Sequence, residues 1–170
     1  MSAGRAPAER TGEARRLGDN VTTDDIIAGK YKHQSIEVGE LAEHVMENVD
    51  PGFRARLRAG DFIVAGTNFG CGSSREQAPQ ILAHLGVSAV VARSFARIFF
   101  RNAINIGLLV LTCDTSGIQE GDRLTYDEAG GLLAVPERGL GLPVAPLAPE
   151  VREIVAAGGL LRYVRANGGL

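Results

Sequence analysis

The chain has 170 residues, 45% hydrophobic and 22% charged, with 22 glycines, 7 prolines, two cysteines and no tryptophan. That length supports one domain with a real core, and glycine at about twice its usual ~7% share, without a G-x-y period, excludes collagen. Cys71 and Cys113 are too few for a disulfide scaffold, a structural zinc or an iron–sulfur cluster, while a formal net charge of −2 and the lack of a long apolar run argue against nucleic-acid and membrane partners.

The first dozen residues are small, polar and mixed in charge, without the apolar core of a secretory signal. Residues 1–12 therefore read as a disordered extension, residues 13–170 as the folded domain, and the protein as cytoplasmic. Residues 38–49 have a helical pattern that Pro51-Gly52 ends. Residues 61–65 (DFIVA) form a short apolar run that reads as a buried strand. A glycine-rich turn, 66–72, follows it. Ser73 or Ser74 then caps a helix reaching Leu85, in which Pro79 predicts a kink or a late start.

Residues 87–92 (VSAVVA) predict a second buried strand. Ser94 caps a second helix with Phe95, Ile98, Phe99 and Ala103 on its apolar side, and residues 108–111 (LLVL) form a third strand. Strand–helix–strand–helix–strand with tight connections implies right-handed crossovers and a parallel sheet. Residues 121–145 alternate between short apolar runs and Gly/Pro turns, which predicts antiparallel hairpins. Residues 151–164 form a closing helix interrupted at Gly158-Gly159. The fold class is α/β, a single domain with a parallel βαβαβ centre and an antiparallel β flank.

Four stretches carry candidate chemistry: 18–25 (GDNVTTDD), 28–34 (AGKYKHQ), 68–77 (NFGCGSSREQ) and 93–105 (RSFARIFFRNAIN). The third sits at the carboxyl end of a predicted strand, where open α/β sheets bind ligands. Gly70 and Gly72 admit close backbone approach, the following helix N-terminus favours an anion, and Arg75 offers a bidentate grip on a carboxylate or phosphate. The plain alternative is a turn with a helix cap. Against it, an arginine in the first helical turn opposes the dipole, so a bound anion or Glu76 has to balance it.

Other motifs fail on spacing. No lysine follows Gly72 as the phosphate-binding loop of nucleotide hydrolases requires, and Arg75 stands where a dinucleotide fingerprint needs its third glycine. The nucleophile elbow G-x-S-x-G is absent. A Cys71 hydrolase needs a nearby histidine, and His84 lies at the far end of the helix, so Cys71 reads as a packed thiol. Thr22, Thr23 and Asp24 are consistent with a simple turn. Arg93, Arg97 and Arg101 recur at intervals of four; a solvated or salt-bridged stripe is one reading, an anionic ligand or acidic partner the other. A stand-alone anion- or phosphate-binding module is the function from a different class.

GDNVTTDDII, VAGTNFGCGSSREQAP and ARSFARIFFRNAINIGL, in that order across residues 16–164, resemble the small subunits of 3-isopropylmalate dehydratase, free-standing counterparts of the aconitase swivelling domain. The resemblance implies a swivelling β/β/α fold and a heteromeric hydro-lyase of leucine biosynthesis. Such an enzyme dehydrates and rehydrates a 2-hydroxy di- or tricarboxylate. It also implies that this chain binds no cofactor, and that a large-subunit partner carries a 4Fe-4S cluster. Matching motif positions make Ser73 the base that removes a proton beside a carboxylate and Arg75 the carboxylate grip. Ser74 adds a hydrogen bond and Asp24 orients active-site groups. The loop at Tyr31, Lys32 and His33 matches the stretch that contacts the variable part of the substrate. Isopropylmalate-type loops are apolar there and homoaconitase-type loops carry an arginine, whereas this chain has Lys32-His33-Gln34. Homoaconitase, 2,3-dimethylmalate dehydratase and citraconate-type hydratase readings thus stand open beside isopropylmalate.

Overall fold

The computed structural model describes residues 9–31, 34 and 37–169. In chain order come β1 (Glu9–Arg16), α1 (Thr23–Ile26), a 3-10 turn at Gly29–Tyr31, α2 (Val38–Ala42), α3 (Phe53–Arg56), β2 (Phe62–Val64), α4 (Gln77–His84), β3 (Ala89–Ala92), α5 (Arg97–Asn105) and β4 (Val110–Thr112). The second half adds β5 (Arg123–Asp127), β6 (Leu132–Val135), a 3-10 turn at Pro136–Arg138, β7 (Leu140–Pro143), α6 (Pro149–Ala156) and α7 (Leu160–Ala166).

Among the described residues, seven strands make one sheet in the order β4-β3-β2-β1-β5-β6-β7. Strands β1 to β4 run parallel, and β5, β6 and β7 continue antiparallel from β1. The mixed α/β architecture expected from the sequence is present. β2 and β3 are buried along their whole length, as strands covered on both faces must be.

The strand joining the two halves is β1, and residues 9–12 of it fall where the sequence predicts a disordered extension. Only Ala14 of its eight residues is fully buried, so no apolar alternation marks it. Polar contacts hold it instead. Arg10 donates to the Ser88 carbonyl at 2.6 Å, Arg15 to Asp61 at 2.8 Å, and Arg16 to the Thr115 and Ile118 carbonyls at 2.8 Å each. Gly12 is required where β1 meets the turn before β2, because a Cβ there would overlap the Gly60 carbonyl oxygen.

Three further expectations are corrected. The helix predicted over 38–49 stops as α2 at Ala42, because buried Met46 takes φ +58° and sends its amide to the Ile26 carbonyl at 3.0 Å. Ser73 and Ser74 do not cap α4, which begins only at Gln77 with Glu76 at its N-cap, so Pro79 lies in the first turn where it is tolerated. Ser94 does not cap α5 either: its hydroxyl accepts from the Asn68 amide at 2.7 Å, and Ala96 stands at the cap. The closing helix is broken in two, α6 and α7, at the predicted glycine pair.

Candidate active site

The loops that leave the carboxyl ends of β1, β2 and β3, three adjacent parallel strands, converge on one another. The loop after β1 is tied to the glycine turn after β2: Gly70 donates to the Val21 carbonyl at 2.7 Å, Thr23 donates its amide to Cys71 at 2.9 Å, and the Thr23 hydroxyl donates to the Ser73 carbonyl at 2.7 Å. On the other side, Phe69 donates to Ser94 at 3.0 Å and Ala96 to Phe69 at 2.9 Å. Phe69 is fully buried, edge-on to Phe99 with ring centroids 5.1 Å apart. Burying such a ring is worth about 1.5–3 kcal/mol, which anchors the turn to α5. Gly70 has φ +82°, and a Cβ on it would run into the Phe99 ring; the turn therefore needs glycine for both its backbone and its fit.

The loops enclose a cavity of about 300 Å³ lined by Thr23, Ser73, Ser74, Arg75, Arg97 and Asn102, with Gly70, Gly72, Ala96, Ile98 and Phe99 completing its wall. α1 positions one side through a capping box in which Thr22 accepts from the Asp25 amide at 3.0 Å and Asp25 accepts from the Thr22 amide at 2.8 Å. This places Asp24 against Arg75: Nη2 of Arg75 pairs with Oδ1 of Asp24. Nη1 of the same guanidinium donates to the Ile27 carbonyl at 2.9 Å. Its Nε is buried and has no hydrogen-bond partner among the described residues.

Arg75 therefore lies before the helix, not in its first turn, and Asp24 rather than Glu76 balances it. The guanidinium side chain is only 10% exposed, whereas Asp24 is 64% exposed. Burial and the two fixed contacts hold the guanidinium in one orientation beside the cavity. Ser73 and Ser74 are both exposed, and neither side chain has a hydrogen-bond partner among the described residues.

Tyr31 is placed elsewhere. Its hydroxyl donates to Glu47 at 2.9 Å and meets His44 Nδ1 at 3.0 Å, its ring stacks on the His44 imidazole at 4.6 Å, and Lys30 sits over it. Tyr31 thus pins the start of its loop to the segment after α2 and does not line the cavity. Lys32 and His33 lie outside the described residues. At Glu47 desolvation acts upward, but hydrogen bonds from His44, Tyr31 and Lys30 together with the Lys30 charge outweigh it and hold the carboxyl at about 2, against an ordinary 4.5. A depressed carboxyl stabilises the fold above its ordinary value and loses that contribution as pH falls towards 2. Glu47→Gln is expected to be less stable at neutral pH and to show a shallower loss of stability over this acid range, measured as urea midpoints against pH.

The two cysteines do not fit a metal cluster. Cys71 points its sulfur at the Val21 carbonyl, 3.9 Å away, and Cys113 is buried with its thiol pushed up to about 11 by desolvation and by Asp114. Among the described residues no group of three or more His, Cys, Asp or Glu side chains could hold a metal ion. No helix among them is long and apolar enough to cross a membrane.

The structure places Ser73, Ser74 and Arg75 on one cavity wall and Asp24 beside them through its pair with Arg75, and it adds Thr23, Arg97, Ile98 and Asn102, which the sequence offered only as parts of the candidate stretches 18–25 and 93–105. The signal was available: α5 follows β3 just as the serine turn follows β2, and loops at the carboxyl ends of adjacent parallel strands meet.

Comparison with known proteins then settles the family. Residues 9–116 match the aconitase C-terminal domain model. The chain is 50% identical over 159 residues to 3-isopropylmalate dehydratase small subunit 2 of Archaeoglobus fulgidus, covering 94% of this chain and 96% of that one. It belongs to the 3-isopropylmalate dehydratase small subunits. Their Moorella thermoacetica member is 48% identical, with 90% and 93% of the two chains covered. The crystal structure of the Methanocaldococcus jannaschii 3-isopropylmalate dehydratase superimposes with a TM-score of 0.91 at 41% identity, over 95% of this chain and 96% of that one.

Proposed function

We propose that the chain is the small subunit of a two-chain hydro-lyase that interconverts 2-hydroxy dicarboxylate isomers by removing water and returning it at the adjacent carbon, with 3-isopropylmalate as substrate. The observation that carries this is the Arg75 guanidinium, desolvated and pinned by Asp24 and the Ile27 carbonyl, lining one cavity with two serines whose side chains have no partner among the described residues. Arg75 grips a substrate carboxylate. Ser73, as its alkoxide, takes the proton from the carbon beside that carboxylate and the C–H electron pair becomes the second bond of the alkene; the C–O bond on the neighbouring carbon breaks with its pair, and the hydroxide takes a proton from solvent to become water while the proton on Ser73 returns to solvent over the cycle. Serine is a weak base, so its oxygen needs the cationic surroundings of Arg75 and Arg97 that line the same cavity. Ser74 adds a hydrogen bond to the bound carboxylate, and Asp24 holds the arginine in place.

In this reading the iron–sulfur cluster belongs to the large subunit; this chain has only two cysteines, and among its described residues no group of three or more His, Cys, Asp or Glu side chains could hold a metal ion. The direct test is to co-express the chain with its large subunit, anaerobically, and to assay isopropylmalate, homoaconitate, 2,3-dimethylmalate and citraconate. Hydration or dehydration of isopropylmalate by the pair alone supports the proposal; turnover by the isolated chain, or a pair active only on another member of the panel, overturns it.

A further inference from the structure

The outer flank of α5 is cationic and apolar at once, and its Arg97, Ile98 and Arg101 stay exposed among the described residues. From residue 93 to residue 113 the sequence holds three arginines and no acidic residue, in a chain whose overall charge is negative. Arg93 has only a distant contact with Asp114, at 4.0 Å between two exposed side chains. Arg97 and Arg101 are exposed and have no ion-pair partner among the described residues. Between them Ile98 is 48% exposed, one of the few large hydrophobic side chains left in water.

These residues frame an open groove of about 780 Å³ whose floor includes Phe95, Phe100 and Thr112. The groove and the active-site cavity share one ridge, Arg97 and Ile98, which lines both. A solvated arginine stripe alone would leave no reason for the isoleucine. An apolar centre ringed by arginines is the composition of a protein interface core rather than of a solvated face.

We infer that this groove is where the large subunit docks, through an acidic surface that places carboxylates against Arg101 and an apolar side chain against Ile98, Phe95 and Phe100. This rests on the proposed two-chain enzyme. That reading requires the partner to reach the serine–arginine cavity, and the shared ridge is the rim it has to cross. Docking there completes the catalytic site and buries the exposed isoleucine in one movement. Matched charge at such a rim speeds encounter and selects the partner.

Arg101 separates docking from substrate binding, because it lines the groove and not the cavity. In calorimetric titration of large subunit into the chain, Arg101→Glu is expected to raise the dissociation constant by about tenfold or more. Arg101→Lys is expected to stay near wild type and to keep the wild-type weakening by salt. In the assembled pair at saturating large subunit, kcat for isopropylmalate stays within about twofold for both variants. An unchanged dissociation constant for Arg101→Glu overturns the inference, as does a rise in KM for substrate with assembly untouched, which would make the face a steering patch for the anionic acid. Because the titration reads binding directly, a wild-type pair that assembles through Arg101 but lacks isopropylmalate turnover refutes the proposed activity and leaves the docking surface standing.

Discussion

Replacing Ser73 with alanine in the assembled enzyme is expected to lower kcat by about 10²–10⁴-fold, the usual contribution of a positioned acid–base group. The same substitution should leave assembly with the large subunit and the thermal midpoint of the isolated chain near their wild-type values. Both halves of that expectation come from the geometry. The Ser73 side chain is exposed and unpartnered, and it caps no helix, since α4 starts at Gln77. The structural duty at this position belongs to the backbone: the Ser73 carbonyl accepts from the buried Thr23 hydroxyl at 2.7 Å, and alanine keeps that carbonyl. A serine serving as a helix cap would show the reverse pattern, with about 0.5–2 kcal/mol of stability lost and turnover little changed. Single-turnover measurements separate the outcomes, because loss of the proton-transfer step lowers the rate at saturating substrate without moving KM upward.

The contrast between the two roles of Ser73 also shows what the amino-acid pattern could and could not convey. β2 and β3 were visible because strands buried on both faces read as unbroken apolar runs, and the hairpins of β5, β6 and β7 because Gly and Pro punctuate short alternating segments. β1 was invisible for the opposite reason. Five of its eight residues are charged, and besides its ladders with β2 and β5 it is tied by arginines to carbonyls 78 and 102 residues away, at Ser88 and Ile118. No local period encodes a contact of that kind. The serines at 73, 74 and 94 looked like helix caps because capping chemistry and turn chemistry use the same side chains; only the three-dimensional course of the loops shows that Ser94 serves the Asn68 amide. For the site, the resemblance supplied Ser73, Ser74, Arg75 and Asp24, and the spacing showed them as separate stretches. The third wall, α5, was legible only as a candidate stretch with an arginine stripe; that it meets the serine turn follows from the parallel-strand topology.

Arg75 offers the second large effect, and it tests whether position or charge matters. Arg75→Lys keeps a cation at the cavity but removes the planar fork that spans Asp24, the Ile27 carbonyl and the open Nε direction. We expect kcat/KM for isopropylmalate to fall by about 10²-fold, the scale at which one preorganised donor contributes to a developing charge, with KM rising because the ground-state carboxylate is gripped by the same group. Asp24→Asn keeps the shape of the pair and removes its charge. In the proposed reading Asp24 acts through Arg75, with which it pairs, so its loss is expected to be smaller in wild-type background, about tenfold, and nearly absent once Arg75 is already lysine. Steady-state kinetics on the four combinations, all in the assembled pair, gives the coupling directly. Additive losses would mean that Asp24 touches substrate by itself, and the guanidinium would then be oriented by the Ile27 carbonyl alone. Non-additive losses would mean that the capping box of α1, by fixing where Asp24 stands, sets the aim of an arginine fifty residues further along the chain; the TTDD stretch then has a catalytic consequence although it need never contact the reacting atoms.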